Sequence, residues 1–209
     1  HYPSRVISQL EQDFAAGAVA CKIWKNIGME LKNLAGAFVL PDDPLFDPIY
    51  AHLAARGWTL LAHIAEPLAC WQPLDSASPH YGYYKNNPQW HMFQRTDVPS
   101  HETLMAARDH IMAKHPTLRL VGAHLGSLEY SLIALAERFE RYPNFAVDTS
   151  ARLGDLARHP TDALRAFLIR YQDLILWVTY IVVFSEKAFL RPAVVAQSTR
   201  SIYATEHAF

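Results

Sequence analysis

Hydrophobic positions along this chain switch repeatedly between a helical and an alternating spacing. Val6, Ile7, Leu10 and Phe14 recur at helical spacing behind Ser4, which can cap a helix, and Gly17 ends the run. From Ala18 to Trp24 the pattern alternates, with Ala20, Lys22 and Trp24 on one face and Val19, Cys21 and Ile23 on the other. Lys25 to Asp43 reads as a loop with a short irregular hairpin around Gly36. Asp42, Asp43 and Pro44 open a second helix, Ile49, Leu53 and Ala54 give it an apolar stripe, and Gly57 stops it. A short apolar strand follows at Thr59, with Thr59, Leu61 and His63 on one face and Leu60, Ala62 and Ile64 on the other.

The same order returns three more times. Ser100 caps a helix through His115 with Leu104, Ala107, Ile111 and Met112 as its core stripe, and a strand runs from Leu118 to His124. Alternation puts Leu120, Gly122 and His124 on one face of it. After Gly126 and Ser127 comes a helix holding Leu132, Leu135 and Phe139, then a strand from Asn144 to Thr149 with Ala146 and Asp148 inward. Short helices around 153–158 and 161–171 lead to a strand from Leu174 to Tyr180, and Arg191 to His207 reads as a closing helix. Five strand–helix units in this order predict an α/β fold with parallel strands, in which chemistry sits at the carboxyl ends of the strands.

Glu66 to Ser100 breaks the rhythm. It carries Trp71, Tyr81, Tyr83, Tyr84, Trp90 and Phe93, with Pro67, Pro73, Pro79 and Pro88 to stiffen it. A loop of that length inside a compact domain is usually a lid or binding loop, so it is expected to fold over the strand ends. Its aromatics suit the wall of an apolar cavity, and they suit equally the plain packing of the loop onto the body.

Composition adds limits. Just over half of the 209 residues are hydrophobic (51%), enough for one domain with a sizeable core. The formal net charge is −1, which points to neither nucleic acid nor an anionic membrane as partner. Leu174 to Phe184 is about half the length of a bilayer-spanning helix. The start shows no signal-peptide pattern, so a cytoplasmic location is expected. The two cysteines, Cys21 and Cys70, make no disulfide framework, and the 11 histidines raise the prior for metal or acid–base chemistry.

Four strands then deliver Lys22, His63, His124 and Asp148 to one edge. Neutral imidazoles with a carboxylate suit zinc or a similar ion, which makes hydroxide available near pH 7. His63 and His124 are the candidate metal ligands, and His124 and Asp148 the candidate catalytic pair. Lys22 suits three roles: binding a substrate carboxylate, carrying a metal-ligating carbamate, or pairing with a fixed acid. Lys25, Glu66, Trp71 and Arg152, beyond the strand ends, join Lys22 as candidate substrate contacts, since Arg holds a carboxylate through two parallel hydrogen bonds. For His63 alone, a core histidine bonded to a neighbour fits as well.

The segments Gly17-Ala-Val-Ala-Cys-Lys-Ile-Trp-Lys-Asn-Ile-Gly28, His63-Ile-Ala-Glu-Pro67, Gly122-Ala-His-Leu-Gly-Ser127 and Val147-Asp-Thr-Ser-Ala-Arg152 resemble the amidohydrolase superfamily. The likeness is to the amidohydrolase 2 branch of metal-dependent hydrolases and nonoxidative decarboxylases. It implies a TIM-like (β/α)8 barrel, present here as strands four to eight, with residues 1–209 a single barrel domain incomplete at its N-terminus and 66–100 its aromatic lid. His63 then corresponds to the metal-binding histidine of the fifth strand and His124 to the sixth-strand histidine that holds the attacking water or a second metal. The implied cofactor is a divalent metal, zinc first, and the implied substrate is small and cyclic or carboxylated. Relatives open with a His-x-His pair that occurs nowhere in this chain, and Tyr180 stands where they carry a metal-binding aspartate. Metal binding by this chain alone is therefore expected to be weak, and a second copy or a preceding segment is expected to complete the barrel. Metal-dependent hydrolysis is the first reading and nonoxidative decarboxylation the alternative. A non-catalytic barrel remnant is the rival from another class, and a binding module using the aromatic loop a third.

Overall fold

A computed structural model describes residues 2–178. Five strands, β1 (Ala20–Ile23), β2 (Thr59–Ala62), β3 (Arg119–Gly122), β4 (Phe145–Asp148) and β5 (Ile175–Leu176), form one sheet in chain order. Every pair is parallel. The long helices are α1 (Tyr2–Ala15), α2 (Asp47–Arg56), α3 (His101–Lys114), α4 (Leu132–Arg141) and α5 (Thr161–Arg170). Tyr180 and the expected closing helix from Arg191 to His207 lie outside the described residues.

Register identifies the faces. Cys21, Leu60, Leu120 and Phe145 lie side by side across four strands, and Ile23, Ala62, Gly122 and Val147 repeat the alignment two residues on. Leu60, Ala62, Leu120, Phe145 and Val147 on that face are buried beneath the helices, against Leu53, Leu104, Ile111, Leu135 and Phe139. Removing such side chains from water is the main driving term for the fold, worth about 1.5–3 kcal/mol for each large aliphatic or aromatic group. Lys22, Leu61, Val121 and Ala146 share the opposite face, where Lys22 is exposed and Leu61 only half-buried.

Most helix boundaries follow their punctuation. Gly57 ends α2 with φ 63° in the left-handed region, and the Ser100 side chain accepts a hydrogen bond from Thr103 N at 3.1 Å to cap α3. The first helix departs from expectation: it begins at Tyr2, so Ser4 lies within its first turn and does not cap it. Pro3 is compatible with that start, since the first helical residues need no amide hydrogen for the ladder. The strands are shorter than the alternating runs because pairing stops where the chain leaves the sheet. The segment from 66 to 100 contains a turn of 3-10 helix at Leu68–Trp71 and a short helix at Tyr81–Asn86, neither visible as periodicity.

The third strand corrects the sequence reading in one respect. Leu120 and Gly122 stand on the helix-packed face, in register with Leu60 and Ala62, not on the face of Lys22 and Leu61. Continued alternation would send residue 124 toward the helices. Instead β3 ends at Gly122, and His124, Leu125, Gly126 and Ser127 all take positive φ, between 57° and 59°. No described helix is long and apolar enough to cross a membrane.

Candidate active site

At the carboxyl ends of β2 and β3, His63 and His124 meet edge to face, with ring centroids 4.5 Å apart and planes at 78°. Each is half-buried. Burial is the main cause that holds the His63 pKa far below the ordinary imidazole range, and the charges of His124, Lys25, Lys22 and Arg152 push the same way. Burial, then Arg152, also lowers His124, against smaller opposing effects of the Ser150 carbonyl and Asp148. Both rings are therefore neutral at pH 7, the state that ligates metal or accepts a proton.

Three of these strand ends leave the sheet through left-handed backbone. Ala65 follows β2 with φ 64°, the turn at 124–127 follows β3, and Ala151 follows β4 with φ 55°. Such conformations cost roughly 1–2 kcal/mol per non-glycine residue and persist where surrounding contacts over-determine them. Around the turn those contacts are explicit. Asp148 Oδ1 accepts from His124 N at 2.9 Å. Ser127 Oγ donates to Ile64 O at 2.8 Å, His101 Nε2 lies 2.9 Å from Ser127 O, and the fully buried Arg108 guanidinium donates to Gly126 O. A Cβ on Gly122 would lie 2.8 Å from Gly126 Cα, so glycine there allows the turn to fold back on its own strand.

Lys25 and Glu66, just past β1 and β2, form a buried ion pair with one another. Lys25 Nζ also donates to Tyr83 Oη at 3.1 Å and lies 3.9 Å from the Trp90 ring centroid. Tyr84 Oη donates to Glu66 Oε2 at 3.1 Å. These contacts fasten the aromatic segment to the strand ends, as do His80 against Asp155 Oδ1 at 2.9 Å and Arg158 Nη1 to Ala77 O at 3.0 Å. Trp71 donates from Nε1 to Pro99 O at 3.0 Å and sets its ring against His101. Arg152 is buried, with Nε 3.9 Å from Asp155 Oδ2 and no hydrogen-bond partner for Nε among the described residues. A cavity of about 360 Å³ lies between the segment and residues 129–159, lined among others by Leu74, Tyr81, Tyr84, Glu129 and Arg158; neither His63 nor His124 lines it.

The structure thus brings His63, His124 and Asp148 together, with Lys22 and Arg152 near enough to act electrostatically on both imidazoles and Lys25 on that of His63. Ser150, Arg108 and His101 join the site without having stood out in the sequence. The Asp148-Thr149-Ser150 spacing is a usable signal for Ser150, because a carboxylate readily accepts hydrogen bonds two residues on. The two imidazoles are a partial metal set. Among the described residues no group of three or more His, Cys, Asp or Glu side chains can hold an ion, whereas a catalytic zinc takes three protein ligands.

The sequence profile described as amidohydrolase matches residues 3–179. No curated protein matches the chain. Among solved structures, a dihydroxybenzoic acid decarboxylase from a Polaromonas species, with bound manganese and the inhibitor 2-nitroresorcinol, aligns with a TM-score of 0.52 at 17% identity. The match covers 85% of this chain and 55% of that one. A 2,6-dihydroxybenzoate decarboxylase from Rhizobium aligns at 0.48 and 20% identity over 85% of this chain and 56% of its own. An uncharacterized TIM-barrel protein from Bordetella bronchiseptica aligns at 0.47 and 16% identity over 84% and 49%. The chain thus spans about half the length of these relatives, and its five parallel strands in chain order are consistent with a partial TIM-like barrel.

Proposed function

The chain belongs to the amidohydrolase family, and from that premise we propose that it supplies one side of an active site that decarboxylates a small aromatic carboxylate without oxidation. The observation that carries this reading is the pair of neutral imidazoles at 4.5 Å with Lys22, Lys25 and Arg152 around them. Cations beside uncharged acid–base groups favour an anionic substrate, and the dihydroxybenzoic acid decarboxylase similar to this chain supports that substrate class. Arg152 and the exposed Lys22 hold the substrate carboxylate. His124 Nε2 first accepts a proton from water or a substrate hydroxyl and then gives it to the ring carbon that bears the carboxylate; the bond to the carboxyl carbon breaks, its electron pair returns to the ring, and carbon dioxide leaves. His124 is the proton carrier and His63 its uncharged neighbour.

A divalent metal belongs to this reading as a group that His63 would help hold, with further ligands beyond the described residues, which do not complete its ligand set among themselves. When bound it would supply positive charge for substrate oxygens. Hydrolysis is the weaker reading, because it needs a carboxylate base for water. The described end of β5, Leu176-Trp177-Val178, has no acid, and Asp148 Oδ1 already accepts three hydrogen bonds.

The test is release of carbon dioxide from 2,6-dihydroxybenzoate and related hydroxybenzoates by the longest native polypeptide carrying this chain. H124N is expected to lower turnover by about 10²–10⁴-fold, the usual worth of an acid–base group. R152M is expected to raise KM more than it lowers kcat. Hydrolysis of ester or amide analogues without any release of carbon dioxide would overturn the proposal.

A further inference from the structure

We infer that Asp148 and Ser150 are positioning residues: Asp148 fastens the backbone of His124 in the left-handed conformation that turns its ring toward His63, and Ser150 sets the ring's tautomer. That His124 then takes part in decarboxylation rests on the function proposed above; the clamp itself does not.

Two observations carry it. First, strand alternation would place residue 124 on the helix-packed face with Leu120 and Gly122, yet its ring lies against His63. A positive φ of 59° at His124 makes the difference. Asp148 Oδ1 holds that conformation by accepting from His124 N at 2.9 Å, and the same oxygen accepts from Ser150 N at 2.9 Å and Ser150 Oγ at 2.5 Å. An oxygen engaged by three donors on a buried carboxylate is arranged to hold backbone, not to exchange protons with a substrate.

Second, His124 Nδ1 lies 2.8 Å from Ser150 O and 2.9 Å from Ser150 Oγ. A carbonyl oxygen has no proton to give, and the Ser150 hydroxyl proton is directed at Asp148. Nδ1 must therefore carry the hydrogen and donate, which leaves the lone pair of the neutral ring on Nε2. One residue pair thus chooses both the direction of the ring and the nitrogen that carries the lone pair.

The experiment compares D148N with D148A in the same native polypeptide, labelled with ¹⁵N-histidine. The ring resonances of His124, assigned through H124Q, report which nitrogen is protonated, and carbon dioxide release reports turnover. Asparagine keeps an accepting oxygen and removes the charge. D148N is expected to keep the Nδ1-protonated signature and to lose less than the roughly 10²-fold that removal of an acid–base group costs. D148A is expected to lose both the signature and turnover. If D148N is inactive while the signature stays intact, Asp148 is an acid or base and the inference fails; it fails equally if D148A leaves the signature unchanged. Should D148A not fold, D148N decides alone by the same two readings. If the wild type releases no carbon dioxide, the resonances still test the clamp, so failure of the proposed function is separable from failure of this inference.

Discussion

Lys25 shows how much a residue's role depends on its neighbours. Its place just beyond β1 makes it a candidate carboxylate anchor, but in the fold its ammonium is buried against Glu66, beneath Tyr83 and Trp90. A buried ion pair adds little net stability, because desolvation offsets the attraction, whereas removing one partner strands the other charge. K25M is therefore expected to destabilise the chain by about 3–5 kcal/mol in urea unfolding. K25M combined with E66Q should cost clearly less than the sum of the single changes, since the amide introduced at position 66 would still accept from Tyr84 and leave no charge behind. Additive costs would show that the pair is not the anchor of the aromatic segment.

At the scale of elements, the β3 exit is where the sequence reading and the structure part. Placing Lys22, His63, His124 and Asp148 at one edge of the sheet anticipates where these residues lie, but the phase assigned to Leu120 and Gly122 is off by one. The phase error does not misplace His124, because the left-handed turn reverses the direction that continued alternation would give it. Tight packing of the turn on its own strand makes Gly122 the sensitive position. G122A would put a methyl 2.8 Å from Gly126 Cα and 3.0 Å from the Phe145 ring, where the closest atom is backbone and cannot swing away. A loss of about 1–3 kcal/mol is expected, as for other overpacked sites. The His63–His124 ring contact should loosen with it, visible as shifted imidazole resonances. A variant as stable as the parent with unchanged resonances would contradict the close approach.

For the whole molecule, the sheet's edges govern behaviour in solution. β1 and β5 each have one strand neighbour within the described sheet, and near them Val19, Trp24 and Trp177 are exposed at 42%, 39% and 56%. Unpaired parallel edges with apolar side chains template further pairing. The isolated 209-residue chain is thus expected to associate through these edges, giving a sedimentation mass above that of the monomer that rises with concentration. V19K and W24K together should shift it toward the monomer, and a concentration-independent monomer in the parent would refute the expectation.

The sequence by itself determined the class and order of the fold. Helical spacing at Leu104, Ala107, Ile111 and Met112, alternation at Thr59 to His63, the stop at Gly57 and the cap at Ser100 are local signals, set by side-chain periodicity and backbone chemistry a few residues long. The segments around Lys22, His63, His124 and Asp148 likewise carried the family likeness without any coordinates. Only the tertiary structure decided which partners those residues meet. Whether Lys25 faces a substrate or Glu66 depends on residues 41 positions apart meeting in space. Whether Asp148 exchanges protons or holds a turn depends on His124, 24 positions away, offering its amide to the same oxygen as Ser150. Periodicity has no term for such encounters, and a left-handed residue without glycine, such as His124, has no local signature, because the contacts that stabilise it come from other strands.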